Sequence, residues 1–119
     1  MIDLNKMTNI IKSHPNFHKA GMIASHLGVV RSFSRDGKNI GGLHIEFNKA
    51  KIEEIKEDIK SRPGIVDIII ETSPGYHKVG DGILAVMVAG DIRENVFPAL
   101  IDAVNRLKKE ASTKKEKLI

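Results

Sequence analysis

The residues of this 119-residue sequence best suited to chemistry are cations at ordered spacings. Lys108 and Lys115 stand seven residues apart, a spacing that returns to one side of a helix after two turns. Wound at ~100° per residue from Leu100, Phe97 falls at about 60°, Ile101 at about 100°, Lys108 at about 80° and Lys115 at about 60°. Both lysines thus share the apolar side of the segment, while Lys109 points away. Two readings are open. Either the stems cover core edge while the ammonium groups snorkel into water, or the pair lines a pocket over a sheet and holds an anion. Arg31 ends an apolar run, with Arg35 close behind. Such charges guard a strand edge, or offer a guanidinium fork to a phosphate or carboxylate. Arg93 opens the long helical pattern, at the positive end of its dipole, where anions are favoured.

Other chemistry finds little support. No P-loop, G-x-G-x-x-G after a strand, G-x-S-x-G or H-E-x-x-H motif is present. His14 and His18 have a metal-capable spacing, but Pro15 interrupts the helix and no third ligand is near, so no metal site is expected. His26 and His44 fall on strands, where an outward-facing or hydrogen-bonded histidine is the common case. His77 lies in a loop with access to a ligand. The sequence contains no Cys, which removes disulfides, thiolate metal sites and a cysteine nucleophile. Any sulfur this protein handles must arrive on another molecule.

The elements that position these residues follow from periodicity and turn chemistry. Leu4 to Ser13 predicts a short helix ended by His14-Pro15. Met22 to Phe33 predicts a strand, with Gly28 marking a bulge or close approach. Arg35-Asp36-Gly37-Lys38 predicts a hairpin turn. In Leu43–Phe47, Leu43, Ile45 and Phe47 point inward while His44 and Glu46 point outward. Asn48 caps a helix buried through Ile52, Ile55 and Ile59 and stopped by Pro63-Gly64. Ile65 to Glu71 is a strand, Ser73–Tyr76 a loop, and Gly82 to Ala89 a strand buried on both faces. From Asp91 onward, Val96, Phe97, Leu100, Ile101, Val104, Leu107 and Ala111 form one apolar stripe. Asp91 or Asn95 caps this helix, and Pro98 favours the later start. The order α-β-β-α-β-β-α predicts an α+β fold, a mostly antiparallel sheet packed against helices.

Composition bounds the rest. Residues 1–119 are the size of one domain, with 111–119 expected as a flexible tail. No apolar run is long enough to span a membrane, and the start lacks a signal-peptide layout, so a cytoplasmic location is expected. The net charge is +4, and Arg106–Ile119 alone carries six basic and two acidic residues. This local patch suits a small anion or an acidic partner surface. With four Phe, one Tyr and no Trp, the chain lacks the interleaved aromatics that stack nucleic-acid bases.

Read together, these motifs resemble the large, catalytic subunit of molybdopterin synthase, the MoaE-like family. AGMIASHLGVVRSF carries a Gly28-x-Val30-Arg31 strand end, and LHIEF carries Leu43 and Glu46. Gly80-Asp81 precedes a buried strand. Arg93, Phe97, Leu107-Lys108 and Lys115 follow at the family's spacing without a gap. The resemblance covers roughly Ala20 to Lys117 and implies an α/β hammerhead-like fold.

It also implies a chemistry. That family transfers two sulfurs onto cyclic pyranopterin monophosphate, forming the molybdopterin dithiolene. The sulfur arrives as a thiocarboxylate at the Gly-Gly terminus of a small ubiquitin-like partner. Lys108 and Lys115 match its essential lysines, Arg31 and Arg93 match positions near the anionic substrate, and Arg35 joins them. The resemblance implies a homodimer at the centre of a heterotetramer, with no cofactor of its own. Some positions depart from the family pattern. Ile92 stands where a histidine is usual, Thr72-Ser73 replaces a histidine-arginine pair, and Lys114 occupies a position usually held by tryptophan. A diverged paralogue fits these departures too: a dimeric, non-catalytic module binding an acidic partner or small anion.

Overall fold

The computed structural model describes residues 1–119. Its elements run α1 (Leu4–Lys12), β1 (Met22–Val29), β2 (Ile40–Phe47), α2 (Lys49–Lys60), β3 (Ile65–Thr72), β4 (Gly75–Lys78), β5 (Gly82–Gly90), α3 (Arg93–Arg106) and β6 (Ser112–Leu118). A π-helical turn, Leu107–Ala111, joins α3 to β6. The antiparallel α+β class is as expected. It is divided over two three-stranded sheets, β1-β5-β3 and β4-β2-β6.

Strand β5 is the centre of the first sheet, pairing antiparallel with β1 on one side and β3 on the other. Its side chains alternate between two cores. Leu84, Val86 and Val88 join α2 and α3, while Ala85, Met87 and Ala89 join Met7 and Ile11 of α1. Helices on both faces explain why this strand is apolar throughout. On α2, Ile52, Ile55 and Ile59 are buried, and Asn48 Oδ1 accepts from the Lys51 N–H at 3.1 Å.

Four expectations change. First, the Ser34–Lys38 turn closes a short hairpin of its own, with Gly37 at φ 84° and Phe33 bridged antiparallel to Asn39, but β1 and β2 do not pair. β1 pairs with β5, and β2 pairs with β4 and β6. The apolar run of β5 offers β1 a far larger buried contact than the Gly-rich start of β2. Second, α3 starts at Arg93 despite Pro98. Asp91 holds its first turn from outside, its carboxylate accepting from the Ile92 N–H at 2.7 Å and from Asn95 Nδ2 at 2.9 Å.

Third, the buried stripe of α3 is Val96, Ala99, Ala103 and Leu107. Phe97 and Ile101, expected in the apolar stripe by their helical spacing, are 47% and 60% exposed. Small alanines let the helix axis approach Val86 and Val88, so the close contact falls on them rather than on the bulkier residues. Fourth, residues 112–118 do not fray. They pair with β2 over Phe47↔Ser112 through Ile40↔Leu118. Backbone hydrogen bonds make this strand, since its sequence, STKKEKL, lacks the apolar alternation that would announce it.

Ile55→Ala is expected to lower the unfolding free energy by about 2–5 kcal/mol in urea denaturation, through the cavity left beneath α2. Ile101→Ala should cost less than about 1 kcal/mol, because its side chain leaves little apolar contact behind.

Candidate functional site

A cleft of about 550 Å³ opens where the two sheets meet, lined by the end of β1, the inner face of β2 and β6, and the turn after α3. Its apolar floor includes Val30, Leu43, Ile45, Ile83 and Leu84. Its walls carry four cations, Arg31, Arg35, Lys108 and Lys114, and one carboxylate, Glu116. None of the four cations belongs to an ion pair. Fixed like charges around an apolar floor raise a positive potential that favours an anion.

Each cation is held by a local device. Leu107 and Ala111 bury the two ends of the π-helical turn and leave Lys108 between them at the cleft. Arg31 follows Val30, whose backbone is clasped by the turn before β5. The Val30 N–H donates to the Asp81 carbonyl at 3.0 Å, and the Gly80 N–H donates to the Val30 carbonyl at 2.7 Å. Gly80 sits at φ 93°, which a side chain would resist. The Arg31 guanidinium lies 5.0 Å over the Phe33 ring. Arg35 reaches the same cleft from the Ser34–Lys38 turn.

The second lysine of the cleft is Lys114. Directly opposite residues on paired strands share a face, and the register sets Phe47, Ile45 and Leu43 against Ser112, Lys114 and Glu116. Those three residues of β6 all line the cleft. Lys115 lies opposite His44, on the outer face with Tyr76. Of the expected pair, Lys108 lines this cleft and Lys115 does not. The seven-residue helical spacing fails because the helix ends at Ala111 and a two-residue period takes over.

Arg93 is not in this cleft. It is exposed at the first turn of α3, 3.7 Å from Glu94, and about 22 Å along the helix from Lys108 at 1.5 Å per residue. His77 is not there either. Its Nε2 lies 2.7 Å from the Ser73 carbonyl, and its Nδ1 lies 3.3 Å from the Asp81 carboxylate. The Lys78 N–H also donates to that carboxylate, and this hydrogen bond is the main cause holding Asp81 below the usual carboxylate range. His77 thus braces the turn that clasps Val30.

His26, read from sequence as an ordinary strand histidine, lines the cleft. Burial is the main cause that holds its ring below the ordinary histidine value, and the charge of Lys108 adds to it. Alternation could have revealed this. Ala24 and Met22 pack on the α2–α3 core, and His26 continues their face of β1 toward Lys108.

The model of the MoaE protein family matches residues 1–110. The chain belongs to the MoaE family. The match includes Lys108 and stops short of β6. Among relatives, a probable molybdopterin synthase of Haloferax volcanii is 27% identical over 115 residues. These are 92% of this chain but 44% of that protein, so the chain spans less than half of the relative's length. Molybdopterin cofactor biosynthesis protein E of Burkholderia multivorans superposes with a TM-score of 0.79 at 26% identity, over 99% of this chain and 82% of its own. Molybdopterin synthase of Staphylococcus aureus gives 0.81 at 20% identity, over 99% and 86%. Subunits 1 and 2 of molybdopterin-converting factor from Helicobacter pylori form a protein–protein complex, one chain of which matches at 0.73 and 20% identity, over 98% and 80%. These two structures support the MoaE fold alone. No helix of this MoaE-family chain is long and apolar enough to cross a membrane.

Two outcomes are expected. Calorimetric titration with inorganic phosphate should weaken about tenfold in Lys114→Ala and less than about twofold in Lys115→Ala. The lowered proton affinity of His26 in the fold means that the unfolded chain binds more protons below its ordinary value of 6.5. Stability should therefore fall as pH drops through and below 6.5. Urea denaturation of His26→Phe should show a shallower decline over that range than the parent chain.

Proposed function

We propose that this chain acts as the large subunit of a molybdopterin synthase, a sulfurtransferase that converts cyclic pyranopterin monophosphate to the molybdopterin dithiolene. The observation that carries this reading is the set of four unpaired cations around one apolar-floored cleft. A pterin monophosphate presents what such a cleft binds: a flat heterocycle for the floor and a phosphate for the cations.

The absence of Cys supports a sulfur that is carried in, as the C-terminal thiocarboxylate of a small Gly-Gly-ended partner. The thiocarboxylate sulfur forms the new carbon–sulfur bond as a carbon–oxygen bond of the substrate breaks, and hydrolysis of the carrier's acyl–sulfur bond leaves its terminal carboxylate. Two carriers, used in turn, supply the two sulfurs. Lys108 and Lys114 neutralise the phosphate and stabilise the leaving oxygen. Arg31 and Arg35 hold the phosphate with guanidinium forks. Lys114 replaces Lys115 in this role.

Arg93 joins the site only if a second copy brings it. A homodimer supports that arrangement, because Ile92, Phe97 and Ile101 leave an exposed apolar strip on α3 beside Arg93. The cytoplasm is the compartment that suits a thiocarboxylate carrier.

A second reading, a dimeric binding module without catalysis, is favoured by Ile92. It stands at the helix start with no side-chain capping bond and no titratable group.

Mixing the chain with a competent thiocarboxylated partner and cyclic pyranopterin monophosphate should yield dithiolene, detected as its fluorescent oxidation product. Lys108→Ala and Lys114→Ala should each lower turnover at least about a hundredfold while keeping the fold. Partner binding without any dithiolene would favour the binding module and sink the enzyme reading.

A further inference from the structure

Among the polar side chains of the cleft, His26 is the one whose presence the fold does not explain. It sits on β1 opposite Val86 and lines the cleft together with Lys108. Its Nε2 is fully covered and has no hydrogen-bond partner. The ring takes no part in the side-chain bonds that brace the neighbouring turns. Buried polar atoms normally find partners, because leaving one unmade carries the full desolvation penalty. For packing alone, a phenylalanine would fill the same space without that penalty. Gly28 extends the opening beside the ring: a Cβ there would stand 3.5 Å from Nε2.

We propose that His26 is a specificity-determining residue of this cleft, a neutral imidazole that hydrogen-bonds the heterocycle of a bound phosphorylated ligand. This rests on the reading of the cleft as a pterin phosphate site. The division of labour is chemical. Lys108, Lys114, Arg31 and Arg35 recognise charge and would take any small phosphate. A neutral ring instead offers a single nitrogen, as donor or acceptor, to an N–H or carbonyl of a heterocycle. Burial disfavours the charged ring, and the positive charge of Lys108 adds to it. A bare phosphate or polyphosphate has no group for it.

Titration calorimetry at pH 7.5 with inorganic phosphate and with cyclic pyranopterin monophosphate tests the assignment. His26→Phe should weaken the pterin phosphate about fivefold to tenfold and leave inorganic phosphate within about twofold. His26→Gln, which keeps a donor and an acceptor, should recover part of the loss. In the unaltered protein, the ring nitrogen resonances of His26 should shift on adding the pterin phosphate and stay still with inorganic phosphate. Equal weakening of both ligands, or ring nitrogens that do not respond, overturns the assignment. If the pterin phosphate binds, needs Lys108, and ignores His26→Phe, the role of His26 falls and the cleft reading stands. If the unaltered protein does not bind it at all, the cleft reading falls and takes the assignment with it.

Discussion

Antiparallel pairing of β6 with β2 is the constraint on which the cleft depends. Successive side chains of a strand point to opposite faces, so one register decision sorts every charge of the C-terminal segment. With Ile45 opposite Lys114, the inner face receives Ser112, Lys114 and Glu116. The outer face receives Thr113, Lys115 and Lys117, the last 5.9 Å from the Tyr76 ring. A slip of one residue would exchange the two sets and bring Lys115 inside. The π-helical turn fixes this register from the other end. Ala111 is buried, its carbonyl accepts from the Asn48 N–H at 2.8 Å, and the strand begins at the next residue.

The second dependence is between charge and scaffold. Gathering Arg31, Arg35, Lys108 and Lys114 around one space with a single carboxylate, Glu116, opposes folding, because like charges repel. The two cores on either side of β5 and the isoleucine stripe of α2 offset that repulsion. The ion pairs of the molecule lie elsewhere. Arg106 bridges Asp58 and Glu110, tying α2 to the end of α3, and Arg62 pairs with Asp102. Cations used for structure are thus neutralised, and those of the cleft are left free for a ligand.

Much of this was legible in the amino-acid sequence, and its limits have physical causes. β5 announced itself as an apolar run, α2 through its isoleucines and Asn48 cap, and β2 through strict alternation. The helical stripe of α3 was readable in period but not in phase, since Phe97 and Ile101 outweigh Ala99 and Ala103 in any hydrophobic sum. β6 was not readable, because both of its faces are polar and its pairing lies in the backbone. For that reason Lys108, Arg31 and Arg35, singled out in the sequence, line the cleft beside Lys114 and Glu116, which were not singled out. His26 lay within reach of the alternation of β1, had its face been followed toward α3. Arg93 shows the opposite limit: family spacing singled it out, and the single chain leaves it about 22 Å along the helix from Lys108.

A crystal structure of the chain with bound cyclic pyranopterin monophosphate tests the central claim most directly. The phosphate is predicted to lie within hydrogen-bonding distance of Lys108 and Lys114, with the pterin ring over Leu43, Ile45 and Leu84. A phosphate bound on the outer face at Lys115, or anywhere outside the cleft, would contradict it.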